Sequence, residues 1–217
     1  MQIESFKFNE WLTGFFEGDG TTFCTERMDG QGYKFLRPVI CFTQKEPQIL
    51  EYIKSEINSG HLYFAGERPG WHLKLDSKKM CKPLLQRLSP YLTAALSLKR
   101  TNAVLSKLDM SIVDRNKVTL NWFVGFWDAE GYSSVQRCNH NNIQYTYLKI
   151  GVSHKDKGVL TEISQLFGGK IYDKGADMYE WCFQRDTIHS FVMELLLYHS
   201  KNLSKHTKLL EDISKCG

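Results

Sequence analysis

Residues 11–20 read WLTGFFEGDG, and residues 122–131 read WFVGFWDAEG. Trp, Gly, Phe and the closing Gly are identical at matched places, and nearly every other pair is similar in kind. Self-similarity at one long offset marks a duplicated structural unit. The offset, Trp11 to Trp122, is about half of the 217-residue chain. The match spreads outward from there. Phe42-Thr43-Gln44-Lys45-Glu46 aligns with Val152-Ser153-His154-Lys155-Asp156, and Gly60-His61-Leu62-Tyr63 with Gly169-Lys170-Ile171-Tyr172. Trp71 aligns with Trp181, and Leu98-Lys99, more weakly, with Ser204-Lys205. The chain is read as two homologous units, residues 1–108 and 119–217, joined by a linker at 109–118.

Each unit has the same coarse order. A helix leads, over 10–19 and 121–130, capped by Asn9 and by Thr119 or Asn121. In Phe35–Phe42 and Tyr145–Val152, period-two alternation with one apolar face predicts half-buried strands. A helix starts at Pro47 or Asp156. Further strands follow near 61–65, 71–75, 170–173 and 179–184, and helices close each unit. The expected class is α+β, with the pattern αββαββα written twice.

The leading helices carry small residues four apart, Gly14 with Gly18 and Gly125 with Ala129, so each pair shares a face. Two such helices are expected to pack backbone to backbone about a pseudo-twofold axis. Their aromatic residues then enter the two flanking cores. Gly20 and Gly131 are expected as C-terminal caps. Asp19 and Glu130 precede them, each at the negative end of a helix dipole, where a carboxylate is disfavoured by a few tenths of a kcal/mol to about 1 kcal/mol. Two such acids brought together repel, and a divalent cation would neutralise them. Few, hard oxygen ligands with room for water and phosphate suit Mg2+. Glu17 and Asp128, one turn back, read as solvated or salt-bridged.

Composition excludes several classes. Hydrophobic residues make up 42% of the chain and charged residues 24%, enough for a packed core. No apolar run approaches a membrane span, so no membrane partner is expected. The start, MQIESFKFNEW, has neither a secretory h-region nor transit-peptide composition. The net charge is +4, with 15 basic and 12 acidic residues up to Met110 and 13 and 12 beyond it, so the surplus is not a tail. The six cysteines are scattered without a CxxC pair, which points to free thiols rather than zinc or disulfides.

The paired decapeptides resemble the double signature of LAGLIDADG homing endonucleases in their single-chain, two-repeat form. The FTQK segment at 42–45 and the LSLKRTNA segment at 96–103 strengthen the resemblance, which spans about residues 9–214. Aromatic residues stand where the signature has Leu, Ile or Ala, a departure that touches packing more than chemistry.

The resemblance implies a fold in which the signature helices form the central interface and two antiparallel sheets form a DNA-binding saddle. It implies metal ligation by Asp19 and Glu130, with the carbonyls of Gly18 and Ala129 as further ligands. It assigns catalytic roles near the scissile phosphates to Gln44 and Lys99 in the first unit and to His154 and Lys205 in the second. The implied cofactor is Mg2+, with Mn2+ as a substitute and Ca2+ supporting binding without cleavage. The face of each sheet opposite the core becomes the reader. It includes Thr25, Arg27, Arg37, His72 and Lys74 in the first unit. In the second it includes Gln136, Tyr147, Lys149, Lys170, Tyr172, Lys174 and Gln184.

The implied activity is hydrolysis of one phosphodiester per strand of a long, asymmetric double-stranded DNA target, leaving 3′ overhangs. The alternative class is a binding protein on the same scaffold: a group I intron splicing maturase, with intron RNA as partner, or a non-cutting DNA-binding protein. Retention of both acids favours cleavage. Two repeats in one chain imply a monomer, and an intron-encoded reading frame implies an organellar setting, mitochondrion or chloroplast, with a prokaryotic or phage origin as the alternative.

Overall fold

The computed structural model describes residues 7–66, 69–140, 143–184 and 187–216, without side-chain detail at 140, 143, 145, 184 and 187–190. The first unit runs α1 (Phe8–Asp19), β1 (Gly20–Met28), β2 (Lys34–Gln44), α2 (Gln48–Ile57), β3 (His61–Ala65), β4 (Gly70–Leu75), α3 (Lys78–Leu88) and α4 (Ala95–Lys107). The second runs α5 (Leu120–Glu130), β5 (Gly131–His140), β6 (Ile143–His154), α6 (Lys157–Phe167), β7 (Lys170–Asp173), β8 (Tyr179–Gln184), α7 (Thr187–His199) and α8 (Leu203–Ser214). Each unit forms a four-stranded antiparallel sheet of the same order, β1-β2-β4-β3 and β5-β6-β8-β7. Two helices close each unit, as the sequence predicts near 78–88 with 97–108 and 186–198 with 203–214, so the pattern in full is αββαββαα.

The two leading helices meet as the small residues require. A Cβ on Gly14 would lie 1.9 Å from the Trp122 carbonyl oxygen, and one on Gly125 would lie 1.8 Å from the Trp11 carbonyl oxygen. Backbone rests on backbone there, and no side chain fits. The large residues leave on either side. Trp11, Leu12, Phe15, Phe16, Trp122, Phe123, Phe126 and Trp127 are all at most 1% exposed. Burial of each contributes roughly 1.5–3 kcal/mol before chain entropy is set against it.

One helix end differs from expectation. α1 is flanked by Lys7, not Asn9, and the Lys7 N–H donates to Asn121 Oδ1 of the other unit at 3.1 Å. Asn9 instead accepts from Arg87 Nε at 2.8 Å. Thr119 caps α5, its hydroxyl oxygen accepting from the Trp122 N–H at 3.2 Å. Gly20 and Gly131 cap the two helices as expected, in extended backbone at φ −104° and −76°. Each helix runs straight into its strand. Glycine is needed there for space: a Cβ would come within 2.3 Å of the Phe16 ring at Gly20 and 2.2 Å of the Trp127 ring at Gly131.

The repeat alignment also shifts. Gln44 pairs with Trp71 and His154 with Tyr179, while Phe42 pairs with Leu73 and Val152 with Trp181. The counterpart of Trp181 is therefore Leu73, and that of Trp71 is Tyr179. The shift is two residues, so every side chain keeps its face.

Candidate functional site

Asp19 and Glu130 are the last residues of α1 and α5, side by side where the paired helices open into the sheets. A Cβ on Gly18 would lie 2.4 Å from Ala129 Cβ and 3.0 Å from Glu130 Cγ, so glycine at 18 makes room for the neighbouring acid. Burial first, and then the charge of Glu130, push the Asp19 carboxyl up to about 7. Burial also raises Glu130. Two acids held this close, and short of water, ionise reluctantly.

The polar partners divide unequally. Gln44, at the end of β2, donates from Nε2 to Asp19 Oδ2. Lys205, in the first turn of α8, donates from Nζ to the Trp127 carbonyl at 3.1 Å and to the Ala129 carbonyl. Burial lowers Lys205 to about 8, against the fields of Asp19, Asp128 and Glu130. One ammonium thus faces both acids, and it occupies the Ala129 carbonyl expected as a metal ligand.

Lys99 is placed elsewhere. Glu17 accepts from the Thr93 and Ala94 N–H groups just before α4, as Asp128 accepts from the Lys201 N–H just before α8. That correspondence puts Ser97 at the place of Lys205. Lys99 lies two residues on, about 200° around the helix, on its exposed face. His154 takes the strand position of Gln44. Its Nδ1 accepts from the Asp156 N–H at 3.1 Å, and its ring packs edge-on against Phe126 at 5.1 Å. Burial lowers its pKa, which favours the neutral ring, and the bond that Nδ1 accepts leaves Nε2 as that ring's donor.

Glu17 and Asp128 are neither solvated nor salt-bridged; they are 4% and 0% exposed. Trp122 Nε1 donates to Glu17 at 2.7 Å, and Trp11 Nε1 donates to Asp128 at 2.8 Å. They lock the helix pair.

Among the described residues, no group of three or more His, Cys, Asp or Glu side chains forms a closed cage. Asp19 and Glu130 are an open, hard-oxygen pair crowded by mutual repulsion. That donor set fits Mg2+, which takes one or two carboxylates and keeps water and phosphate as its other ligands.

The outward faces of the sheets follow the alternation. Ile40, Phe42, Leu73 and Leu75 point inward at 0% exposure. Thr25 opposite Arg37, Arg27 opposite Phe35, and the His72–Lys74 strand share the other face. Arg37 is engaged there: Nε donates to the Asp76 carbonyl at 2.7 Å, and the guanidinium pairs with the Asp76 carboxylate. His72 Nδ1 contacts Thr43 Oγ1 at 3.1 Å, and its ring stacks on Tyr63 at 5.4 Å.

In the second unit Gln136 lies opposite Tyr147 and Lys149 opposite Gln184, while Lys170 and Tyr172 line the edge and Lys174 follows β7. The Gln184 side chain lies outside the described residues. Two residues of this face were not anticipated. Tyr132 donates to Glu180 Oε1 at 2.6 Å, and Lys149 Nζ donates to Glu180 Oε2 at 3.2 Å. Glu180 was legible, since it shares strand parity with Gln184.

Comparison with known proteins agrees with this fold. Residues 123–213 match the LAGLIDADG endonuclease family model. The chain is 25% identical over 188 residues to the intron-encoded RNA maturase bI4 of Saccharomyces cerevisiae, covering 85% of this chain and 28% of that protein. It is 24% identical over 220 residues to the probable intron-encoded endonuclease aI2 of Debaryomyces hansenii, covering 94% and 32%. The chain thus spans about a third of the length of these relatives. Its fold is similar to the crystal structure of the LAGLIDADG meganuclease I-AabMI bound to uncleaved DNA, with a TM-score of 0.74 at 17% identity over 96% of this chain and 90% of that one. The second repeat thus matches the LAGLIDADG endonuclease family model, the first repeat has the same order of elements and strands, and the fold throughout is similar to that of a LAGLIDADG meganuclease.

Proposed function

We propose that the chain is a site-specific endonuclease for double-stranded DNA, acting as a monomer and cutting one phosphodiester in each strand to leave 3′ overhangs. The observation that carries this is the pair Asp19 and Glu130, half-buried side by side at the ends of the packed helices with Lys205 against them.

Asp19 and Glu130 would hold Mg2+, each acid serving one strand. Bound there, the ion supplies Lewis-acid charge to the phosphate and a more acidic water. The chain's own groups do the rest. Gln44 fixes the Asp19 carboxylate by donating to it. Lys205 offers a partly desolvated ammonium where negative charge develops on the phosphate oxygens. His154 has a neutral ring with a donor at Nε2 that can order a water. Thr25, Arg27, Arg37, His72 and Lys74 in one sheet, and Gln136, Tyr147, Lys149, Lys170, Tyr172, Lys174 and Gln184 in the other, would contact bases and phosphates. The two faces differ in chemistry, so the target is long and asymmetric.

The likeness to an RNA maturase favours one second reading, in which intron RNA is a partner. Likeness to intron-encoded relatives supports an organellar intron as the source of the reading frame.

A pooled DNA library incubated with the protein in Mg2+ and, in parallel, in Ca2+ tests the proposal. A discrete double-strand break in Mg2+ alone is expected. Specific retention of DNA in both ions without a cut contradicts cleavage and supports the maturase reading.

A further inference from the structure

An acid on a face that meets DNA repels phosphate, yet Glu180 sits on the outer face of β8, 8% exposed and opposite Ser153. Three groups converge on it. Tyr132 donates from its hydroxyl at 2.6 Å, Lys149 Nζ lies at 3.2 Å, and Lys174 Nζ lies at 3.5 Å. Gly151 permits this arrangement, because a Cβ there would lie 2.5 Å from the Tyr132 hydroxyl oxygen. The first repeat has no such cluster at the matching positions, its acid-anchored cation being Arg37 on Asp76 instead. At the places of Tyr132, Lys149 and Glu180 it carries Thr21, Val39 and His72.

The cluster keeps one net positive charge and holds one lysine still. The Lys149 side chain is 17% exposed, and its ammonium lies 5.4 Å over the Tyr132 ring. A lysine meant only for phosphate gains nothing from an acid partner. An anchored one gains direction, since Glu180 and Tyr132 engage part of its three N–H donors and set where the rest can point. In the major groove, guanine presents two adjacent acceptors, O6 and N7, to such a donor.

We propose that Glu180 is a positioning residue that presents the Lys149 ammonium as a fixed donor to one guanine in the half of the target met by the second repeat. This rests on the reading of the chain as a binder of double-stranded DNA.

Sequence preference measured by binding in Ca2+, across all single-base variants of the selected target, tests it with the wild type, Lys149→Met, Glu180→Gln and Tyr132→Phe. Lys149→Met and Glu180→Gln should both lose guanine preference at the same base pair, on the order of tenfold. Glu180→Gln should bind unrelated DNA as tightly as the wild type or more so, having lost a negative charge. Replacing that guanine by 7-deazaguanine should reproduce the loss in the wild type and change nothing in Lys149→Met. Tyr132→Phe should weaken the same preference, which keeps the test open if Glu180→Gln does not fold. Equal weakening on every sequence by Glu180→Gln, with guanine preference intact, overturns the proposal, as does indifference of the wild type to 7-deazaguanine. A wild type with no sequence preference at all overturns the DNA-reading proposal as well.

Discussion

The indole Nε1 of Trp11 donates to the buried carboxylate of Asp128 at 2.8 Å, across the interface between the two repeats. Its counterpart Trp122 donates to Glu17 at 2.7 Å in the opposite direction. The first residue of each decapeptide therefore satisfies the seventh residue of the other. Backbone N–H groups ahead of the last helix of each repeat complete the shell, Thr93 and Ala94 for Glu17 and Lys201 for Asp128. The latch joins signature helix to signature helix and ties both to the segments that lead into α4 and α8.

Trp11→Phe keeps an aromatic ring but removes the donor with the pyrrole half of the indole, leaving a fully buried acid one hydrogen bond short. A loss of about 1–3 kcal/mol is expected in urea unfolding, and a similar loss for Trp122→Phe. Unchanged unfolding midpoints in both variants would remove the latch from the account.

Gly125→Ala must force the helices apart, because its Cβ would lie 1.8 Å from a carbonyl oxygen. Backbone cannot swing aside as a side chain does, so a loss above about 3 kcal/mol, or failure to fold, is expected. Gly30→Ala, with nothing within 4 Å, serves as the control and should stay within about 0.5 kcal/mol. Comparable melting temperatures for the two variants would contradict backbone contact at Gly125.

Much of this was legible because duplication repeats the signal. Gly14 and Gly125 gave the close helix crossing, and strand alternation put Lys149 and Arg37 on the outer faces. Two things were hidden. The connection from Thr43 to His72 is two residues longer than that from Ser153 to Glu180, so aligning on Trp71 and Trp181 slipped the register. The slip kept strand parity and spared the face assignments. In the helical tail a two-residue slip in the opposite direction turned Lys99 away, because helices forgive three or four residues but not two. The buried fate of Glu17 and Asp128 was hidden for another reason. Their donors come from the other helix and from segments some 75 residues away in sequence.

Stability of the metal-free chain should fall as pH rises. Burial raises Glu17 from 4.5 to about 8, and Asp128 moves in the same direction. Between those pH values the native state holds a proton that the unfolded chain has released, so unfolding is favoured as pH climbs. The contribution is complete below about 4.5 and is lost through about 8. Thermal melting at pH 5.5 and 8.0 in EDTA checks it, with the higher melting temperature expected at pH 5.5. The reverse order would contradict burial as the dominant effect on these acids.

Lys205→Met should slow cleavage on the order of a hundredfold, the scale of losing one stabilising donor, while DNA binding in Ca2+ persists. Lys99→Met should cut normally, since Lys99 lies on the exposed face of α4. A large defect in Lys99→Met with none in Lys205→Met would exchange their places in the account.

The most direct test is strand-by-strand cleavage of the selected target in Mg2+ by the wild type, Asp19→Asn and Glu130→Gln, with binding measured in Ca2+. The wild type should cut both strands. Each variant should bind the target about as well yet cut no strand, or only one. Efficient double-strand cutting by either variant would take that acid out of the chemistry and contradict the central role given to the pair.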